Sequence, residues 1–244
     1  MTKAEIQLIR ALSDKRVRTE EGLFVAEGEK LIGEVIAARL RVRKIYAVEE
    51  LFAGAELISP KEMERISHLK TPTKALAVVE LPHHDLRRVA PERSLVLVLD
   101  EVQNPGNLGT IIRLADWFGI EDIVCSPNSA DCFNPKVVQA TMGAILRVRV
   151  HYTELVPFLQ SARKRSVPIY GTFLEGEELY HTELTPTGVI VMGNEGRGIS
   201  REVAELVSHK VLIPPYPADR PTSESLNVAM ATGIICAEFR RRVL

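Results

Sequence analysis

Five short runs of apolar residues punctuate the second part of the chain: SLVLVLD (94–100), EDIVCS (121–126), VPIYGTF (167–173), GVIVMG (188–193) and KVLIP (210–214). Several are nearly continuous in Val, Ile and Leu, so each such strand has two apolar faces to bury, and the stretches between them carry helical spacing. Strands of this kind belong in a sheet covered on both sides, and their alternation with helices predicts parallel pairing. The predicted fold class is therefore α/β, a parallel sheet covered by helices on both faces. Asn134 before Pro135 reads as a helix N-cap, and Ser200 as the opening of a helix over REVAELVSH.

Upstream, Ile6, Ile9 and Leu12, then Leu31, Ile32, Val35 and Ile36, recur at helical spacing and alternate with apolar runs at 45–48 and 76–79. They predict a small α/β domain over residues 1–80. The segment LPHHDLRRVAPER (81–93) breaks both periodicities and reads as a linker, leaving residues 94–244 as a second domain. A chain of 244 residues is long enough for two such cores. Its formal net charge is -1, so a nucleic-acid partner has to be argued from local patches and motifs rather than bulk charge. No apolar run approaches the ~20 residues of a membrane span, and the start, MTKAEIQLIR, lacks the apolar stretch of a signal peptide. The expectation is a cytoplasmic protein with no membrane association. Cys125, Cys132 and Cys236 are odd in number and scattered, which favours reduced thiols over disulfides and gives no metal site.

Ligands of open parallel sheets bind beyond the carboxyl ends of the strands, which directs attention to three loops. The first, Asp100 to Gly109, leads into a helix with apolar positions Leu108, Ile111, Ile112, Ala115 and Phe118. Arg113 stacks over Gly109 on that helix, whereas Asn107 and Arg113, six apart, diverge if both are helical, so Asn107 is expected in the loop or as N-cap. Read alone, the loop is equally a tight turn followed by a solvated cation. The second, Gly193-Asn194-Glu195-Gly196-Arg197-Gly198, has three glycines that permit close backbone approach to a ligand. Its spacing is neither a dinucleotide fingerprint nor a phosphate-binding loop, and Glu195 at its centre argues against a polyphosphate. The third stretch passes four prolines between 214 and 221 and enters a final helix at Ser225-Leu226-Asn227. Those residues suit a helix cap as well as a ligand contact.

Together the three loops resemble the motifs of the SpoU/TrmH family of the SPOUT superfamily. Asn107, Gly109 and Arg113 match N-x-G-x-x-x-R; Gly193, Glu195, Gly196 and Gly198 match the glycine-rich motif; Ser225, Leu226 and Asn227 match the terminal S-L-N. The resemblance covers about residues 94 to 244, including FNPKVVQATMGAILRVRV (133–150), and FVAEGEKLIGEVI resembles the small substrate-binding domain that often precedes it. Asn104 stands where an aspartate is common and Ala229 where a serine is common.

The resemblance implies an S-adenosylmethionine-dependent RNA methyltransferase acting on a ribose 2′-hydroxyl of ribosomal or transfer RNA, with no metal. It also implies a C-terminal trefoil knot and a homodimer formed through the catalytic domain. By the same resemblance Arg113, Asn107, Glu195, Ser225 and Asn227 form the catalytic set, with Arg113 acting at the 2′-hydroxyl and Glu195 orienting it or a hydroxyl. The cofactor falls to Gly193, Ile213, Leu226 and Thr172. A protein that keeps the fold and binds RNA, or assists ribosome assembly, without turnover is the alternative. RNA contact is assigned to two basic clusters, Lys15, Arg16 and Arg18, then Arg41 and Arg43; residues 1–19 alone carry five Lys/Arg against Glu5 and Asp14.

Overall fold

The structure, a computed structural model, describes residues 1–217 and 223–243. In chain order the first elements are α1 (Lys3–Ala11), α2 (Lys15–Glu21), β1 (Leu23–Glu27), α3 (Glu29–Ala37), β2 (Val42–Ala47), β3 (Glu56–Leu57), α4 (Pro60–Ile66) and β4 (Ala75–Glu80). There follow β5 (Leu95–Leu99), α5 (Pro105–Trp117), β6 (Asp122–Cys125), α6 (Pro135–Thr141), β7 (Arg149–Tyr152) and α7 (Leu155–Lys164). The last are β8 (Ile169–Glu178), β9 (Gly188–Met192), α8 (Arg201–Ala204), β10 (His209–Leu212) and α9 (Val228–Arg241).

The chain forms two compact units. One comprises Met1–His83 together with Asp131–Leu146; the other comprises His84–Ala130 and the chain from Arg147 onward. The first is a four-stranded sheet of order β1-β4-β2-β3, antiparallel except for the β2–β3 pair. Phe24, Ile32, Val35, Ala77 and Val79 are buried on one side of it, and Ile6, Ile9, Leu12, Met63 and Leu76 on the other. Residues 131–146, expected in the second domain, pack with this unit. Val138 of α6 packs among Phe24, Ala26 and Ile32, the Phe133 ring lies 4.9 Å from that of Phe24, and Asp131 pairs with the buried Arg18. Local sequence fixes α6 through Asn134, whose side chain accepts from the Lys136 backbone at 2.9 Å, but says nothing about which core receives the helix.

The second unit is a six-stranded sheet of order β10-β8-β9-β5-β6-β7, parallel throughout. All five residues of β5 and all five of β9 are buried, as their two-sided apolar sequences require. On one face Val96, Val98, Val189 and Val191 pack against Leu155, Leu159 and Ala162 of α7 and Val203 of α8. On the other, α5 packs beside α9 and against β6. The linker shrinks to the neighbourhood of residues 83 and 84: Leu81 packs in the first core, while Leu86 and Val89 pack in the second. The helix expected after Ser200 is a single turn, and its cap side chain makes no capping bond. Among the described residues no helix is long and apolar enough to cross a membrane.

Candidate active site

Parallel register brings the carboxyl ends of β5, β6 and β9 level, with Leu99 opposite both Met192 and Cys125. The Asp100 backbone N–H continues the ladder to the Met192 carbonyl at 2.9 Å. Beyond this edge the loop after β5 turns into α5. Asn104 caps the helix, its Oδ1 accepting from the Gly106 and Asn107 backbone at 2.8 and 3.2 Å, so the asparagine found where aspartate is common does the same work as an acceptor. Asn107 therefore lies in the first turn of α5 rather than in the loop or at the cap, which corrects the expectation drawn from its spacing to Arg113.

From that turn Asn107 joins the three loops. Its Nδ2 donates to Glu195 Oε1 at 2.9 Å, and its Oδ1 accepts from Asn227 Nδ2 at 3.0 Å. The Oδ1 of Asn227 is meanwhile used as the cap of α9, accepting from the backbone of Ala229 and Met230 at 3.0 and 3.3 Å. Capping and site-building are thus divided between the two ends of one amide. Ser225 is exposed and takes no part in this relay among the described residues. Arg113, on a diverging face of α5, is exposed and makes no hydrogen bond or ion pair with any described residue; Glu195 serves Asn107 instead of orienting it. The guanidinium is left available for an anionic or developing negative group.

The glycine-rich loop is constrained from within. A Cβ on Gly193 would sit 2.3 Å from the Gly198 carbonyl carbon, so only glycine fits, and Asn194 and Gly198 exchange two backbone hydrogen bonds of 2.9 Å. The Asn194 side chain closes the turn by accepting from Gly196 and Arg197 N–H at 2.9 and 3.1 Å. Two acidic residues at the end of β5, not singled out in the sequence, secure the loop: the buried Asp100 accepts from Ser200 N–H at 2.7 Å, and the Glu101 carbonyl accepts from Asn194 Nδ2 at 2.8 Å. The signal for them was their position at the carboxyl end of a central, fully buried strand.

Thr172 on β8 is half-buried and donates to the Val191 carbonyl at 3.3 Å; Gly193 is buried, Ile213 half-buried and Leu226 half exposed. Gly193 directly follows β9 and Ile213 directly follows β10, whereas Thr172 lies within β8, one residue past the Gly171–Val191 pair. The proline run leading to Ser225 includes residues 218–222, which lie outside the described residues. Among the described residues no three His, Cys, Asp or Glu side chains gather to hold a metal ion.

The basic clusters divide. Lys15, Arg16, Arg41 and Arg43 are exposed. Arg18 is 2% exposed, pairs with Asp131 and donates to the Leu12 carbonyl at 2.6 Å, so its expected place on an RNA-facing surface is corrected to a structural one inside the first unit.

Known proteins similar to this chain identify its family. Residues 94–237 match the model of the SpoU rRNA Methylase family, and residues 3–77 match the MRM3-like substrate binding domain. The 23S rRNA (guanosine(2553)-2′-O)-methyltransferase RlmP of Bacillus subtilis is 30% identical over 240 residues, covering 95% of this chain and 94% of that protein. A putative RNA methyltransferase of the TrmH family from Porphyromonas gingivalis superposes with TM-score 0.88 at 39% identity, covering 99% of each chain. An AdoMet-bound rRNA methyltransferase from Sinorhizobium meliloti superposes with TM-score 0.89 at 30% identity, covering 100% of this chain and 97% of that one.

Proposed function

This chain belongs to the SpoU rRNA methylase family, and we propose that it transfers a methyl group from S-adenosylmethionine to a ribose 2′-hydroxyl of 23S ribosomal RNA. The observation that carries the reading is the relay Asn227–Asn107–Glu195, which ties together three loops that the sequence motifs had marked separately.

When bound, S-adenosylmethionine supplies a methyl carbon on a positively charged sulfur. Transfer of that methyl to the 2′-oxygen would break the C–S bond, release S-adenosylhomocysteine and pass the hydroxyl proton to water. The exposed guanidinium of Arg113 stabilises the charge developing on the 2′-oxygen or holds an adjacent phosphate. Asn107, fixed from both ends by Glu195 and Asn227, presents a rigid polar wall beside the reacting groups. Gly193, Thr172, Ile213 and Leu226 hold the donor, chiefly through backbone groups, and Ser225 contributes a hydroxyl at the entrance to α9.

The first unit, residues 1–83 with 131–146, serves as the RNA-binding domain, with Lys15, Arg16, Arg41 and Arg43 tracking phosphates. A homodimer forms through the catalytic domain; Thr110, Arg113 and Trp117 of α5 and Met230 and Ala237 of α9 are exposed on these packed helices, and Trp117 is 84% exposed. A C-terminal trefoil knot accords with β10 adding outside β8 before α9 returns to α5. The protein works in the cytoplasm, where its ribosomal RNA substrate lies.

The test is methyl transfer by the purified protein to 23S ribosomal RNA from cells lacking it, with the modified nucleotide mapped and then replaced by its 2′-deoxy form. Transfer that stops on replacement is expected; transfer that continues would refute ribose chemistry.

A further inference from the structure

We infer that Glu101 is a positioning residue that pre-forms the glycine-rich loop for the methyl donor, an inference that rests on the function proposed above. Glu101 has φ 56°, in the left-handed region that non-glycine residues seldom occupy, and it directly follows Asp100 at the end of β5. Four contacts hold it there. Its N–H donates to Ser126 Oγ at 2.9 Å, its carbonyl accepts from Asn194 Nδ2 at 2.8 Å, Oε1 accepts from Asn128 Nδ2 at 3.2 Å, and Oε2 pairs with Arg197.

Asn194 and Arg197 are the two limbs of the turn that carries Glu195 at its crest. One residue therefore grips the loop on both sides of the carboxylate that anchors Asn107, while Asp100 fixes the loop's exit at Ser200. An ordinary surface ion pair would need neither the left-handed backbone nor the two main-chain hydrogen bonds, and by itself does little for stability. The arrangement has the character of a clamp on a loop that is otherwise exposed: Glu195, Gly196, Arg197 and Gly198 all face solvent.

Releasing the clamp lets the loop sample conformations that do not bind the donor, which weakens apparent affinity by the fraction of molecules still competent. Once the donor is bound, the loop is ordered and turnover proceeds. Glu101→Gly removes the carboxylate while suiting the backbone angle, and Arg197→Ala removes its partner without touching that angle.

In the full chain, both variants are expected to raise the Kd for S-adenosylmethionine, measured by calorimetry, and its KM on ribosomal RNA by on the order of tenfold. The kcat at saturating donor should change less than about twofold, and the double variant should be no worse than the weaker single one. Glu101→Gln, which keeps an acceptor for Asn128, should fall between wild type and Glu101→Gly. Unchanged Kd in both single variants, additive effects, or a lowered thermal midpoint accompanied by loss of kcat each overturn the clamp. Wild-type protein that binds no S-adenosylmethionine would overturn the proposed function itself, a result told apart by needing no variant.

Discussion

The amide nitrogen of Asn107 lies 2.9 Å from a carboxylate oxygen of Glu195, 88 residues further along the chain. Since the same side chain accepts from Asn227 through its oxygen, its orientation is fixed and both halves of the amide are committed. Asn107→Asp places a second carboxylate against Glu195 and removes the donor. Single-turnover methyl transfer should fall on the order of 100-fold, as for loss of a preorganised polar group, with donor binding reduced far less. Equal rates in the variant and the wild type would remove the relay from catalysis.

Gly193 admits no side chain, because a Cβ would approach the Gly198 carbonyl carbon to 2.3 Å and the Ile199 nitrogen equally closely. Gly193→Ala must push the two limbs of the loop apart. A loss of about 1–3 kcal/mol in stability, typical of overpacking, should accompany weakened binding of S-adenosylmethionine. Denaturant titration and calorimetry read the two effects separately.

Arg18 and Arg16 are two residues apart but face different fates. Arg18→Ala leaves the partly buried Asp131 without its cation and should destabilise the protein by about 3 kcal/mol. Lys15→Ala with Arg16→Ala should leave the thermal midpoint where it is and weaken RNA binding, reducing the slope of log affinity against log salt by about 2. An unaltered slope would take this pair off the RNA surface.

Asp122 is buried and opposes its own ionisation by desolvation, but hydrogen bonds from His151 at 2.9 Å and from Arg149 at 2.8 Å outweigh that cost and hold its carboxyl at about 2. The unfolded chain, with an ordinary value near 3.8, takes up the proton first as pH falls. The stabilisation, about 2 kcal/mol, is therefore complete above about pH 4 and drains away between about 4 and 2. Chemical denaturation of the wild type and Asp122→Asn across that range should show the wild type losing its advantage; parallel curves would refute the assignment.

The sequence was most transparent where burial leaves no choice. β5 and β9 are apolar on both faces and occupy the centre of the sheet, so their residues read as strands directly. β7, by contrast, reads Arg-Val-His-Tyr, and its polar positions resemble a loop until Asp122 on the neighbouring strand explains them: Arg149 and His151 both bind that carboxylate. Arg18 sat in a basic cluster and looked solvated because its partner Asp131 is 113 residues away. The three motif loops were legible from their places after the strands and from their resemblance to family motifs, but which oxygen of which amide serves which partner depends on helix phase. Moving Asn107 from the loop into the first turn of α5 was enough to hand Glu195 to it instead of to Arg113.

The excursion of residues 131–146 bears on how this chain can be divided. The polypeptide leaves the six-stranded sheet after β6, supplies Phe133 and Val138 to the other core, and returns to form β7. A cut near residue 83 would strip the smaller fragment of those side chains and leave α6 attached to the larger one with its apolar face bare. Exchange of the N-terminal unit between relatives is thus a three-junction graft, and the helix must travel with the unit whose core it completes.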